Sequence, residues 1–132
     1  MQVSKLKQTA HSEHLCRYHI VFIPKWRKNW LLKYQFIITR LMVERCKELG
    51  VVILELAIQD DHIHLFVEAR PDAVMSKFVG RLKSYLTTQL LDSHPELLQK
   101  FPKRSLWARG YFIATCGVES EVIQNYILNQ DS

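Results

Sequence analysis

The sequence predicts an α+β fold: an antiparallel sheet of four to five strands with helices on one face and an additional C-terminal helix. Three observations carry this. Apolar residues alternate with a period of two in some segments and recur at three and four in others, in the order strand, helix, strand, strand, helix, strand. Residues 62–69 split into a wholly apolar row and a polar one, as in a sheet with one covered face. Finally, 132 residues with 48% hydrophobic content and only 4 Gly and 4 Pro suit one core, so residues 1–132 are expected to form a single domain.

Residues 17–23, Arg-Tyr-His-Ile-Val-Phe-Ile, are β-branched and aromatic, and Pro24 ends the run, which predicts the first strand. The first helix spans 35–49, with Phe36, Ile37, Leu41, Cys46 and Leu49 at helical spacings and Gly50 as its stop. Residues 51–59 are too short and too β-branched for a helix and read as the second strand, and Asp60-Asp61 makes a turn. In the third strand, 62–69, Ile63, Leu65, Val67 and Ala69 form the apolar row, leaving His62, His64, Phe66 and Glu68 on the opposite face.

Pro71-Asp72 opens a longer helix over 73–93, with Val74, Phe78, Leu82, Tyr85 and Leu86 at core spacing. A helical turn near 96–101 and a basic loop lead to a fourth strand over 106–116, broken by Gly117. A last helix covers 119–130, its acidic residues in the first turn, where the helix dipole favours them. This order is the ferredoxin-like split βαβ plan.

No run approaches the roughly 18 apolar residues of a membrane span, and the N-terminus lacks the apolar block of a signal peptide, so a cytoplasmic protein with no membrane partner is expected. Cys16, Cys46 and Cys116 are widely spaced and odd in number, which suggests reduced core cysteines rather than a disulfide framework or zinc knuckle. Between Lys77 and Arg109, the cations Lys77, Arg81, Lys83, Lys100, Lys103, Arg104 and Arg109 face only Asp92 and Glu96, a surplus equal to the +5 of the whole chain. Such concentration suits a polyanion, because neutralised phosphates release counterions, and it equally suits a solvated helix face.

Lys77, Arg81, Ser84 and Thr88 fall on one side of the second helix, a stripe that could track a phosphate backbone. Lys25, Arg27 and Lys28 flank Trp26, a mixture that suits nucleic acid, where cations meet phosphates and rings stack on bases; a tryptophan packed on the domain with snorkelling cations is the alternative.

Two imidazoles at i and i+2 on a strand share a face, with Cα atoms roughly 6.6 Å apart, and can converge on one divalent ion. His62 and His64 therefore form a candidate metal clamp with open positions. Asp61 could hold the second nitrogen of a histidine or could simply shape the turn. Tyr126, beside Val122, Ile123 and Ile127, reads alone as the edge of a core; Gln130, one turn later on the same face, could offer an amide oxygen to a metal or stay solvated.

Taken together, these residues resemble a family. His62-Ile63-His64 after Asp60-Asp61, followed by Tyr126-Ile127-Leu128-Asn129-Gln130, resembles the single-tyrosine HUH transposases of small bacterial and archaeal insertion sequences. The opening Tyr18-His19-Ile20-Val21-Phe22 with Lys25 and Arg27, the helix segment Gly80-Arg81-Leu82-Lys83-Ser84, and Trp107-Ala108-Arg109-Gly110-Tyr111-Phe112 are also similar to family segments in family order.

The resemblance implies a nuclease and strand transferase acting on single-stranded DNA, with Tyr126 as nucleophile and His62, His64 and Gln130 as ligands of Mg or Mn. It further implies a homodimer that reads hairpins near element ends, with active sites combining the histidines of one subunit and the tyrosine helix of the other. Candidate DNA contacts are Lys25, Arg27, Lys28, Lys77, Arg81, Lys83, Ser84, Lys103, Arg104 and Arg109. The rival readings are a domesticated relative that processes repeated palindromic DNA, and a non-catalytic ferredoxin-like nucleic-acid-binding module. The latter would place aromatics where His62 and His64 stand.

Overall fold

The alternating and helical patterns condense into a split βαβ arrangement. The computed structural model describes residues 15–115 and 120–129. Its elements are β1 (Cys16–Phe22), α1 (Gln35–Glu48), β2 (Val52–Ile58), β3 (Ile63–Ala69), α2 (Met75–Ser93), β4 (Phe112–Ala114) and α3 (Ser120–Leu128). The sheet runs β2-β3-β1-β4, with every neighbouring pair antiparallel. The four strands fulfil the expected sheet, and α3 is the expected extra helix.

Strand alternation decides which side is covered. Ile20 and Phe22 of β1 and Ile63, Leu65 and Val67 of β3 are fully buried, in one cluster with Ile38, Leu41 and Met42 of α1 and Phe78, Leu82 and Leu86 of α2. Transfer of this apolar surface out of water is the main force holding the two helices on the sheet. At the end of α1, Gly50 takes φ 73, a conformation open to glycine at no steric cost, and the Val51 amide returns to the Cys46 carbonyl at 2.9 Å. That reversal sends the chain straight into β2.

Several sequence expectations need correction. Phe36 does not face the core: it is 85% exposed, because Tyr34, Ile38, Leu41, Met42 and Cys46 set the helix phase and put residue 36 on the far side. Val74 is also exposed, since it precedes the first turn of α2 in an extended conformation, and Met75 and Val79 take the core positions instead. The strand expected over 106–116 is interrupted. Trp107 makes only an isolated bridge to Pro24, Gly110 turns the chain at φ 74, and ladder pairing resumes at Phe112–Ala114. Cys46 is buried and Cys16 partly so, both as free thiols, whereas Cys116, Gly117 and Glu119 lie outside the described residues.

Among the described residues no helix is long and apolar enough to cross a membrane.

Candidate active site

The sheet face turned away from α1 and α2 carries Arg17, His19 and Val21 of β1 and His64, Phe66 and Glu68 of β3. His62 stands just before the first paired residue of β3 and has the same parity; its carbonyl accepts the Gln59 amide at 2.9 Å, which closes the Asp60-Asp61 turn. Asp61 Oδ1 accepts a hydrogen bond from His62 Nδ1 at 3.0 Å. This contact fixes the ring and leaves Nε2 with its lone pair, the arrangement by which an outer carboxylate prepares a metal-binding imidazole.

His64 is half-buried and has a partner that sequence reasoning missed. His19 Nδ1 lies 3.1 Å from His64 Nε2, so the two nitrogens share one proton. The His19 ring in turn stacks on Phe66, with centroids 4.3 Å apart and planes 16° from parallel. Burial, then the neighbouring His19 and His62, holds the His64 pKa below the ordinary imidazole value, while Glu55 pulls weakly the other way. A neutral imidazole is the form that binds a cation. The parity of residues 17–23 does put His19 in a row with Arg17 and Val21, but only the β1–β3 register shows that this row continues into the histidine pair.

Tyr126 reaches the same face from α3. That helix lies on a small cluster of Val21, Ile23, Ala108 and Ile127, joined by Phe112, Ile123 and Tyr126. Register links it to the histidines: His64 stands opposite Val21, Val21 stands opposite Phe112, and the Phe112 and Tyr126 rings are 5.7 Å apart. Two strand spacings, roughly 10 Å, therefore separate the histidine strand from the strand beneath the phenol. The Tyr126 hydroxyl is buried with no hydrogen-bond partner, and burial raises its pKa above the ordinary phenol value. A buried hydroxyl without a partner is costly.

Gln130, the third expected ligand, lies outside the described residues. Among the described residues no cluster of three or more His, Cys, Asp or Glu side chains could hold a metal ion. The donors the site does offer, two imidazoles with one braced by a carboxylate, fit a divalent cation that keeps several positions open for water or phosphate oxygen.

The basic candidates lie in the segment after β1, along α2 and in the loops that follow it. Lys25, Arg27 and Lys28 follow β1, and Arg27 lines a groove with Asp60 and Asp61. Lys77, Arg81 and Ser84 are exposed along α2, while Lys103, Arg104 and Arg109 are exposed in the following loops, which Lys25 reaches: its amide donates to the Leu106 carbonyl at 2.8 Å and its amine to Ser105 Oγ at 3.4 Å. Ser84, Thr88, Arg104 and Ser105 line a shallow groove of about 360 Å³. Lys83 differs from the surface contact expected of it. Its amine donates to the carbonyls of Ala108, at 3.0 Å, and Gly110, and burial pushes its pKa down to about 8. It ties α2 to the loop before β4.

Comparison with known proteins matches residues 12–130 to the family model for IS200-like transposases. The chain is 34% identical over 125 residues to the transposase for insertion sequence element IS200 of Salmonella typhimurium, covering 94% of this chain and 82% of that relative. It is 25% identical over 115 residues to the ISDra2 transposase TnpA of Deinococcus radiodurans, covering 86% and 82%. Among solved structures, a transposase candidate from Deinococcus radiodurans R1 superimposes with a TM-score of 0.83 at 25% identity, over 90% of this chain and 93% of that one. A REP-associated tyrosine transposase bound to a REP hairpin shares the fold, with a TM-score of 0.57 at 8% identity over 83% and 61%.

Proposed function

The chain belongs to the IS200-like transposase family, and on that footing we propose that it cuts and rejoins single-stranded DNA by transesterification through Tyr126. One observation carries the reading: His62, His64 and Tyr126 occupy one sheet face, although the phenol comes from a helix about sixty residues downstream.

The Tyr126 oxygen attacks the phosphorus of a phosphodiester; the new O–P bond replaces the bond to the departing 3′ oxygen, which takes up a proton. The products are a 5′-phosphotyrosine and a free 3′ hydroxyl. Ester energy is kept in the covalent link, so attack by another 3′ hydroxyl reverses the step and joins strands. A divalent Mg or Mn ion held by His62, His64 and Gln130 would neutralise charge on the non-bridging oxygens and on the departing oxygen. Asp61 fixes the His62 ring, and burial with the neighbouring imidazoles favours the neutral His64 ring, the form that binds a cation. Tyr126 must shed its proton during attack, since burial favours the neutral phenol.

One nucleophile per chain implies two copies, because excising a segment requires both ends to be cut and held. We place the active sites in a homodimer. The small cluster beneath α3 and the partnerless Tyr126 hydroxyl support a helix able to present the phenol to the histidines of its own or a second chain. The REP-associated relative, bound to a hairpin, suggests hairpin ends as the DNA recognised. The reaction then serves excision and insertion of an insertion sequence.

The test is incubation with labelled single-stranded hairpin DNA from the flanks of the element, with Mg or Mn, followed by denaturing electrophoresis. A protein–DNA adduct is expected from the parent, and none from Tyr126→Phe or His62→Ala despite retained DNA binding. Cleavage without an adduct, surviving Tyr126→Phe, would show hydrolysis by activated water instead.

A further inference from the structure

The residues after β1 build a feature that the reaction above leaves unused. Trp26 and Arg27 both adopt left-handed backbone conformations, φ 58 and 51, uncommon for residues with side chains. This double turn carries the indole out of the core: Trp26 is 53% exposed, whereas Trp30 and Trp107 are buried. The amines of Lys25 and Lys28 each lie 5.5 Å from the Trp26 ring centroid, and Phe101 lies nearly parallel to it, 4° between planes, as a buried backing. An exposed indole with two amines close to its ring is the kind of platform on which single-stranded nucleic acids stack their bases.

Its position gives the platform a role. A groove of about 760 Å³ runs from Trp26, Arg27 and Asn29 to Asp60, Asp61 and His62. One wall thus carries the aromatic ring and a guanidinium, and the other ends at His62. The volume suits one nucleotide with its solvent. The walls are chemically unequal: cations gather on the tryptophan side, where phosphates can be neutralised, and carboxylates stand opposite.

We propose that this groove is a nucleotide subsite in which a base of single-stranded DNA stacks on Trp26 while its backbone passes Arg27 toward His62. That the nucleotide adjoins the scissile phosphate rests on the nuclease reading above; the stacking itself rests on the groove. Stacking tolerates any base, so the subsite grips the strand without selecting its sequence.

The test uses the Tyr126→Phe protein without metal, so that binding is read apart from chemistry, and a mixed-sequence single-stranded DNA of about 20 nucleotides. Titration should quench tryptophan fluorescence to saturation, because the other two indoles are buried. Trp26→Leu should weaken binding about 5- to 100-fold with an unchanged salt slope, and Trp26→Tyr should recover most of it. Absence of quenching, equal affinity in Trp26→Leu, or equal losses in the Leu and Tyr variants would each overturn the subsite. Loss of the covalent adduct from the parent protein with quenching intact would remove the nuclease reading and leave the stacking platform standing.

Discussion

His19 and His64 meet across β1 and β3 with Nδ1 of one 3.1 Å from Nε2 of the other, and the His19 ring is held in place by its stack on Phe66. A histidine fixed by stacking orients a second histidine by sharing its proton. Replacing His19 with Phe keeps the stack and removes the shared proton. The expected result is Mn affinity reduced about 10- to 100-fold, the usual effect of losing an outer partner, with little change in melting temperature. Mn titration followed by electron paramagnetic resonance measures it. Unchanged affinity in His19→Phe would reduce His19 to a packing residue.

How much of this was legible beforehand depends on the range of the interaction. The row of His62, His64, Phe66 and Glu68 could be read directly because strand alternation is local, and Asp61 precedes its histidine in sequence. His19 stayed hidden because its partner lies 45 residues away and is set by strand register. Lys83 shows a similar limit: its charge suggests phosphate, while its amine ends on carbonyls 25 and 27 residues downstream. Phe36 shows a different limit. Helical spacing fits more than one phase, and only packing on the sheet reveals which residue is left outside.

Tyr126 makes an unusual stability prediction. Removing a tyrosine hydroxyl ordinarily costs a hydrogen bond, but here the oxygen is buried without one. Tyr126→Phe should therefore be neutral or more stable by up to about 1 kcal/mol, even as it abolishes the adduct. The sign with pH is also set. Since the folded-state pKa lies above the unfolded value, Tyr126 contributes stability that is present below about pH 10 and lost as pH rises through the raised value. Thermal melts at pH 8 and near pH 11 should show a smaller alkaline loss for the Phe variant.

Lys83 titrates in the opposite sense. Its folded-state pKa, about 8, lies below that of an unfolded lysine, so between the two the unfolded chain binds more protons. Stability from this residue rises with pH across that window and is constant below it, where the amine is charged in both states. Lys83→Met keeps the length, removes this slope, and leaves the Ala108 and Gly110 carbonyls without their donor. A loss of about 1–3 kcal/mol at pH 7 is expected from urea unfolding. Because Ala108 belongs to the cluster beneath α3, the same variant should loosen that helix and speed amide exchange at Ile127.

Arg17 and Glu68 lie on the same sheet face as the histidines but play a different part. Glu68 is 3% exposed, its Oε2 accepts from Arg17 Nε at 3.0 Å, and its Oε1 has no partner. The carboxylate depends on one half-solvated guanidinium, so the pair contributes little net stability while intact and much when broken. Arg17→Ala should cost about 1–3 kcal/mol, less than for a fully buried pair because Arg17 is 57% exposed. Adding Glu68→Leu to that variant should return most of the loss, since it removes the stranded charge and fills the site with apolar atoms. Chemical denaturation of the parent, the single variant and the double variant reads this directly. A double variant no more stable than Arg17→Ala would mean that the stranded carboxylate is not the source of the loss.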